Sequence, residues 1–198
     1  MDIKVILDKL SPQLKYLNLG AMKGLIGEPF IGEEGRSSDG FKIFESYILS
    51  VRAMARLLLT YKNRGINTIN KLVDNYAPAS DNSEFNRNGY KNHHMMVLNL
   101  DSLDTEFDIE ENLFEIIQTI IKHEGRPDAH NPANEVAIQK AIETAYIDDE
   151  ETVRRILEPY KMEISSLPLE ETEEEVVDKE KQQTVMATKV NPIDANEF

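Results

Sequence analysis

Residues 39–74 read DGFKIFESYILSVRAMARLLLTYKNRGINTINKLVD, and every other part of the chain is placed relative to them. A Gly turn and the short apolar segment Phe41-Lys42-Ile43-Phe44 lead into a long amphipathic run. Over 46–63, Tyr47, Val51, Met54, Ala55, Leu58 and Tyr61 fall on one helical stripe, which Ile48, Leu57 and Leu59 widen. Arg52, Arg56 and Lys62 fall on the polar side. So wide an apolar arc predicts a helix buried over most of its surface. Arg64-Gly65 supplies a C-terminal cation and a glycine stop. Asn67 or Thr68 then caps a shorter helix carrying Ile69, Leu72, Val73 and Tyr76, which Ala77-Pro78 ends. The connecting turn is short, so the two helices are expected to form an αα-hairpin or a bent pair.

Downstream, Asn82 or Ser83 can cap a helix through Phe85 and Tyr90, against the poor helix formers Asn86, Asn88, Gly89, Asn92, His93 and His94. Met95 to Leu100 is a short apolar run and Asp101 to Asp104 reads as a turn. Order returns over 108–124, where Ile109, Leu113, Ile116, Ile117, Ile120 and Ile121 keep helical spacing. Asp108 or Thr105 is the expected cap, with Lys122 and His123 in the last turn and Gly125 just past it. Asn131 fits a cap and Pro132 the first position of the next helix, with the stripe Val136, Ile138, Ala141, Ile142 and Ala145. A last helix is expected over 149–160, with Val153, Ile156, Leu157 and Tyr160 inward. The fold class is therefore mainly α.

Upstream, residues 16–40 hold six of the nine glycines and read as a Gly-rich loop region anchored by Phe30-Ile31. The glycines are not followed by a Lys-Ser/Thr pair, so the region is not a phosphate-binding loop. At the start, Ile3, Ile6, Leu7 and Leu10 share one face of a short helix ended by Ser11-Pro12. That face suits packing on its own domain or docking on a partner. From about residue 161 periodicity stops and acids dominate, as in an extended tail. Val176, Val177 and Phe198, with Val185-Met186, are the candidate anchors there. The chain thus divides into an N-terminal docking helix (1–15), a helical domain (16–160) and an acidic extended tail (161–198).

Charge follows this division. Residues 1–100 carry 13 Lys/Arg against 10 Asp/Glu, and residues 101–198 carry 9 against 26. Such an acidic second half disfavours direct contact with nucleic acid. No run approaches the roughly 18–20 apolar residues of a membrane span. The N-terminus has acids among its apolar residues and no small-residue cleavage site, so it is not read as a secretory signal. With no Cys there is no disulfide, no thiolate metal site and no thiol nucleophile. His93-His94, His123 and His130 lack any metal-ligand spacing, and Gly-x-Ser-x-Gly is absent, so neither a metal, a cofactor nor acyl transfer is expected.

Residues 16–147 resemble a domain of virion-associated proteins of tailed bacteriophages. The resemblance runs through Phe30-Ile31-Gly32-Glu33, Gly40-Phe41-Lys42-Ile43-Phe44 and Val51-Arg52-Ala53-Met54-Ala55-Arg56-Leu57-Leu58. It continues through Arg64-Gly65-Ile66-Asn67-Thr68-Ile69, Tyr76-Ala77-Pro78-Ala79-Ser80-Asp81-Asn82 and Ile120-Ile121-Lys122-His123-Glu124-Gly125. It implies a compact lysozyme-like helical domain and an association with peptidoglycan cleavage during phage entry. The chain departs from the family in its loops. The polar opening signature is reduced to Asn18 and Gly20 within Tyr16-Leu17-Asn18-Leu19-Gly20-Ala21-Met22. The family's Trp is Tyr76, its second Pro is Ala79, and its Thr-Glu-Ala-Tyr-Ile run is replaced after Asn82.

Glycan cleavage needs a carboxylic acid that still carries its proton, with a second acid in two-carboxylate mechanisms. A lytic transglycosylase manages with one, because the sugar supplies the nucleophile. The candidates are Glu124, at the end of a buried helix whose C-terminal dipole pushes a carboxyl pKa upward, and Glu33, in the Gly-rich loop. Three functions follow. The first is a virion structural protein with lost muralytic activity, made in the host cytoplasm and docking to capsid, portal or tail proteins. The second is an active virion enzyme acting on peptidoglycan. The third is a phage-encoded binder of a host factor. Eroded loops over a kept helical core favour the first.

Overall fold

The computed structural model describes residues 15–24, 29–124 and 132–161, and for 132–134 the backbone alone. The docking positions Ile3, Ile6, Leu7 and Leu10, the tail anchors Val176, Val177 and Phe198, and the expected Gly125 stop and Asn131 cap lie outside these residues. Among them the fold is mainly α. A two-stranded hairpin, β1 (Glu33–Arg36) and β2 (Lys42–Phe44), precedes six α-helices: α1 (Tyr47–Asn63), α2 (Ile69–Tyr76), α3 (Glu84–Val97), α4 (Leu113–His123), α5 (Pro132–Thr144) and α6 (Glu150–Leu157). No helix among the described residues is long and apolar enough to cross a membrane.

The centre of the core is α1, which packs against α4, α5 and β2. Ala53, Met54, Ala55 and Leu58 are wholly buried, and so are Ile116 and Ile117 of α4 and Ala141 of α5. Small residues on α1 let its neighbours approach closely. The helix stops as expected: Arg64 caps it and Gly65 takes a left-handed φ of 75°, which costs a glycine nothing. Thr68 caps α2, its hydroxyl accepting from the Lys71 N–H.

Arg52 departs from expectation. It is 2% exposed although it belongs to the polar side by periodicity. Its Nε donates to Thr144 O at 3.2 Å and its guanidinium donates to Ile147 O at 2.6 Å. Arg56 donates to Ala145 O at 3.0 Å and to Asp148 at 2.7 Å. Two arginines of α1 therefore satisfy carbonyls at the C-terminal end of α5, where the helix leaves acceptors unpaired and its dipole favours cations. Burial lowers the Arg52 pKa, the Arg56 charge adds to this, and Asp148 opposes both.

Four further differences concern the hairpin, α3, α4 and α5. The Gly-rich region contains the hairpin, paired Glu33 to Phe44, Gly35 to Ile43 and Arg36 to Lys42, with an irregularity between Glu33 and Gly35. The helix α3 runs unbroken through Asn86, Asn88, Gly89, His93 and His94 because Ser83 caps it and Tyr90 and His94 are buried against the domain. The helix α4 starts at Leu113, since Asp108 accepts from the Glu110 and Glu111 N–H groups and so organises a separate turn. Val136 of α5 is 52% exposed, whereas Ile138, Ala141 and Ala145 are buried as expected.

Candidate functional site

Residues 16–24 lie along β2 on the side away from β1. Phe44 N–H donates to Tyr16 O and Lys42 N–H to Met22 O, both at 3.0 Å. The segment turns sharply, with Leu17 at φ 51° and Ala21 at φ 46°, a region that L side chains rarely adopt. Asn18 offsets that strain. It is fully buried; its Nδ2 donates to Met22 O and Lys42 O, and its Oδ1 accepts from Met22 N–H, each at 2.9 Å. Leu19 N–H donates to Ser50 Oγ of α1. Gly20 has no room for a side chain, since a Cβ there would collide with the Tyr76 hydroxyl and the Met54 methyl. Of the two signature residues that remain, Asn18 thus holds the loop to itself and to β2, and Gly20 lets it approach the helices.

Glu33 opens β1 and lines a recess of about 340 Å³ formed by residues 29–34 with Glu45, Glu150 and Arg154. Its side chain is nevertheless only 5% exposed. Both carboxylate oxygens accept from Lys42 Nζ at 2.7 Å, and Oε2 also accepts from Phe30 N–H at 3.2 Å. The Lys42 ammonium stands 5.1 Å from the centre of the Phe30 ring. Across the recess Arg154 bonds Glu45 and Glu150. To meet a substrate, Glu33 would have to leave a buried ion pair, which is costly because it strands the ammonium.

Glu124 caps the C-terminus of α4, its N–H donating to Ile120 O at 2.9 Å. It is partly buried. Tyr90 of α3 donates its hydroxyl to Glu124 Oε1 at 3.0 Å. The Tyr90 ring packs on His123 with centroids 3.9 Å apart, on His94 at 5.6 Å and on Tyr76 at 6.4 Å. Tyr76 in turn donates to Gly20 O at 2.6 Å. Burial pushes both phenols well above their usual range and the Glu124 charge adds to it, so each keeps its proton and acts as a donor. Glu124 is therefore the acidic end of an aromatic cluster joining the ends of α2 and α4 and the middle of α3 to the 16–24 loop. Glu33 belongs instead to the hairpin. Among the described residues no three His, Asp or Glu side chains form a metal-holding group.

Sequence reasoning reached Glu124 but not the residues around it. Tyr90 and His94 are one helical turn apart, a signal hidden by the weak helix formers between and around them. His94 is 1% exposed and its Nδ1 has no hydrogen-bond partner. Burial lowers its pKa from 6.5 to about 3, with the His93 and His123 charges adding to the shift. The native chain therefore binds fewer protons than the unfolded chain between these values. Stability is complete above pH 6.5 and falls as the pH drops toward 3. Between pH 6.5 and 5, above most carboxylate titrations, the loss is on the order of 2 kcal/mol. His123, also lowered by burial, acts in the same direction. Urea unfolding at stepped pH should show this slope and should show it flattened in His94→Phe; an equal slope in both proteins would remove His94 as its source.

Compared with models of known protein families and with curated proteins, the chain matches none.

Proposed function

We propose that this chain is a structural protein of a tailed-bacteriophage particle, built on a lysozyme-like helical domain that serves assembly and no longer cleaves glycan. The phage context and the lysozyme-like character rest on the motif resemblance. The loss of activity rests above all on one observation: the Glu33 carboxylate is turned inward and occupied on both oxygens by Lys42. The remaining signature residues point the same way, since Asn18 and Gly20 are engaged in holding the loop. Its partners on this reading are other proteins of the particle, whether capsid, portal or tail.

One observation favours a second reading. Glu124 keeps some exposure beside a Tyr donor, and a transglycosylase needs a single acid. Incubating the purified chain with cell walls separates the two. No turbidity loss and no zymogram band are expected. Clearing by the native protein that vanishes in Glu124→Gln would overturn the structural reading. Stoichiometric recovery of the chain from purified particles is expected, and its absence would sink the assignment to the virion.

A further inference from the structure

We infer that α3 is an acid-released segment: it leaves α2 and α4 as a unit when His94 takes up a proton, while the rest of the domain stays folded. The topology allows this, because the chain on either side of α3 is tied together without it. Asn70 N–H donates to Leu103 O at 3.2 Å, and Phe107 N–H to Asn67 O at 2.9 Å. Asn70 Nδ2 adds a bond to Asp104 at 2.8 Å. The hydroxyls of Tyr61 and Tyr76 fasten α2 further, to Asn75 O from α1 and to Gly20 O of the 16–24 loop. The other neighbour, α4, also packs on α1 and α5. Of the 14 residues of α3 only Tyr90 and His94 are buried. Asn86, Asn88, Gly89, Asn92 and His93 give the helix little stability of its own, so it melts once it is undocked. Local opening of this kind is drawn from elements with few buried contacts.

The trigger follows from the surroundings of His94. Its Nδ1 is buried without a hydrogen-bond partner, so a proton added there places an uncompensated charge in the seam. The groups facing it do not offset that charge. On α3, His93 adjoins it and the Tyr90 ring lies 5.6 Å away. On α4, His123 adds like charge, and Glu124 is engaged by the Tyr90 hydroxyl. On α2, Tyr76 keeps its proton, and Asp74 is held by Arg87 and Lys91. Docked, His94 titrates at about 3; released, it regains the ordinary 6.5. The docked state therefore binds fewer protons, and its release constant rises about tenfold for each pH unit below 6.5. Release also takes the Tyr90 donor from Glu124 and opens the end of α4 to solvent. This goes further than a loss of overall stability, since one helix leaves before the core unfolds. It does not depend on whether the domain cleaves glycan.

Native-state amide hydrogen exchange on the full chain tests it, read by mass spectrometry and corrected for the intrinsic pH dependence of exchange. At pH 7 the α3 amides should open at least about tenfold more often than those of α1. From pH 6.5 to 5 their opening constant should rise about thirtyfold, and in His94→Phe by less than about threefold. Arg52→Met weakens the domain outside α3, so it should speed exchange in α1 and leave that of α3 unchanged. Exchange of α3 and α1 in step, an α3 opening constant flat with pH, a slope that survives in His94→Phe, or α3 exchange that follows Arg52→Met would each overturn the proposal.

Discussion

Replacing Arg52 with methionine is expected to cost about 3 kcal/mol of stability, near the lower end for breaking a buried charged contact. Methionine fills much of the same volume, so packing loss is small and the measurement isolates the guanidinium. What is lost is the pair of bonds from Arg52 to Thr144 O and Ile147 O, at a site 2% exposed. Ile147 O then loses the Arg52 donor and Thr144 O keeps the Ile147 N–H alone, at the end where the α5 dipole is negative. For a chain of this size the melting temperature should fall by about 6–12 °C. Urea unfolding should show a lower midpoint at unchanged slope. Arg56→Ala is the contrast: that side chain is 39% exposed and its ion pair to Asp148 reaches solvent, so the cost should stay below about 1 kcal/mol. Equal costs for the two variants would show that Arg52 contributes no more than a surface charge.

The substitution Asn18→Asp is expected to be more damaging still, at about 4 kcal/mol, although it changes one atom. The asparagine Nδ2 donates to two carbonyl oxygens, of Met22 and Lys42, at a fully buried position. A carboxylate oxygen in its place would face both acceptors with no proton to offer, and burying such a charge costs more than losing the bonds. Asn18→Ala removes the bonds without adding charge and should cost about 2–3 kcal/mol. Thermal unfolding at pH 7 should therefore rank native, then alanine, then aspartate. Below the carboxyl pKa the aspartate variant becomes a donor and should recover part of the difference. A rank order that put aspartate above alanine would mean the 16–24 loop is not held through this side chain.

These two residues also mark where a sequence can and cannot be read. The helices α1 and α2, with the Gly65 stop and the Thr68 cap, were legible because their determinants are local: apolar periodicity, a left-handed glycine and a capping hydroxyl. Arg52 was misplaced because periodicity assigns an arginine to solvent, while its partners stand 92 and 95 positions away. The hairpin escaped because its strands are four and three residues long and are completed by bonds from Tyr16 and Met22. The penalties against α3 were each under about 1 kcal/mol and were outweighed by its cap and the burial of Tyr90 and His94. Glu33 could be picked out as an acid in a glycine-rich loop. That Lys42 holds it followed only from the pairing of β1 with β2.

The burial of α1 on nearly all sides has a consequence for how the chain is made. The partner carbonyls at the end of α5 are synthesised 92 residues after Arg52. At a synthesis rate of roughly 5–20 residues per second, α1 leaves the ribosome several seconds before the helix that covers it. During that interval Ile48, Val51, Met54, Ala55 and Leu58 lack the cover of α5, and until α4 is made they lack that of α4 as well. Contacts so far apart in sequence make the closing step slow, because the loop between them must be ordered first. A nascent chain stalled before α5 therefore leaves part of the apolar surface of α1 open to solvent and to chaperones, which α5 covers in the finished chain.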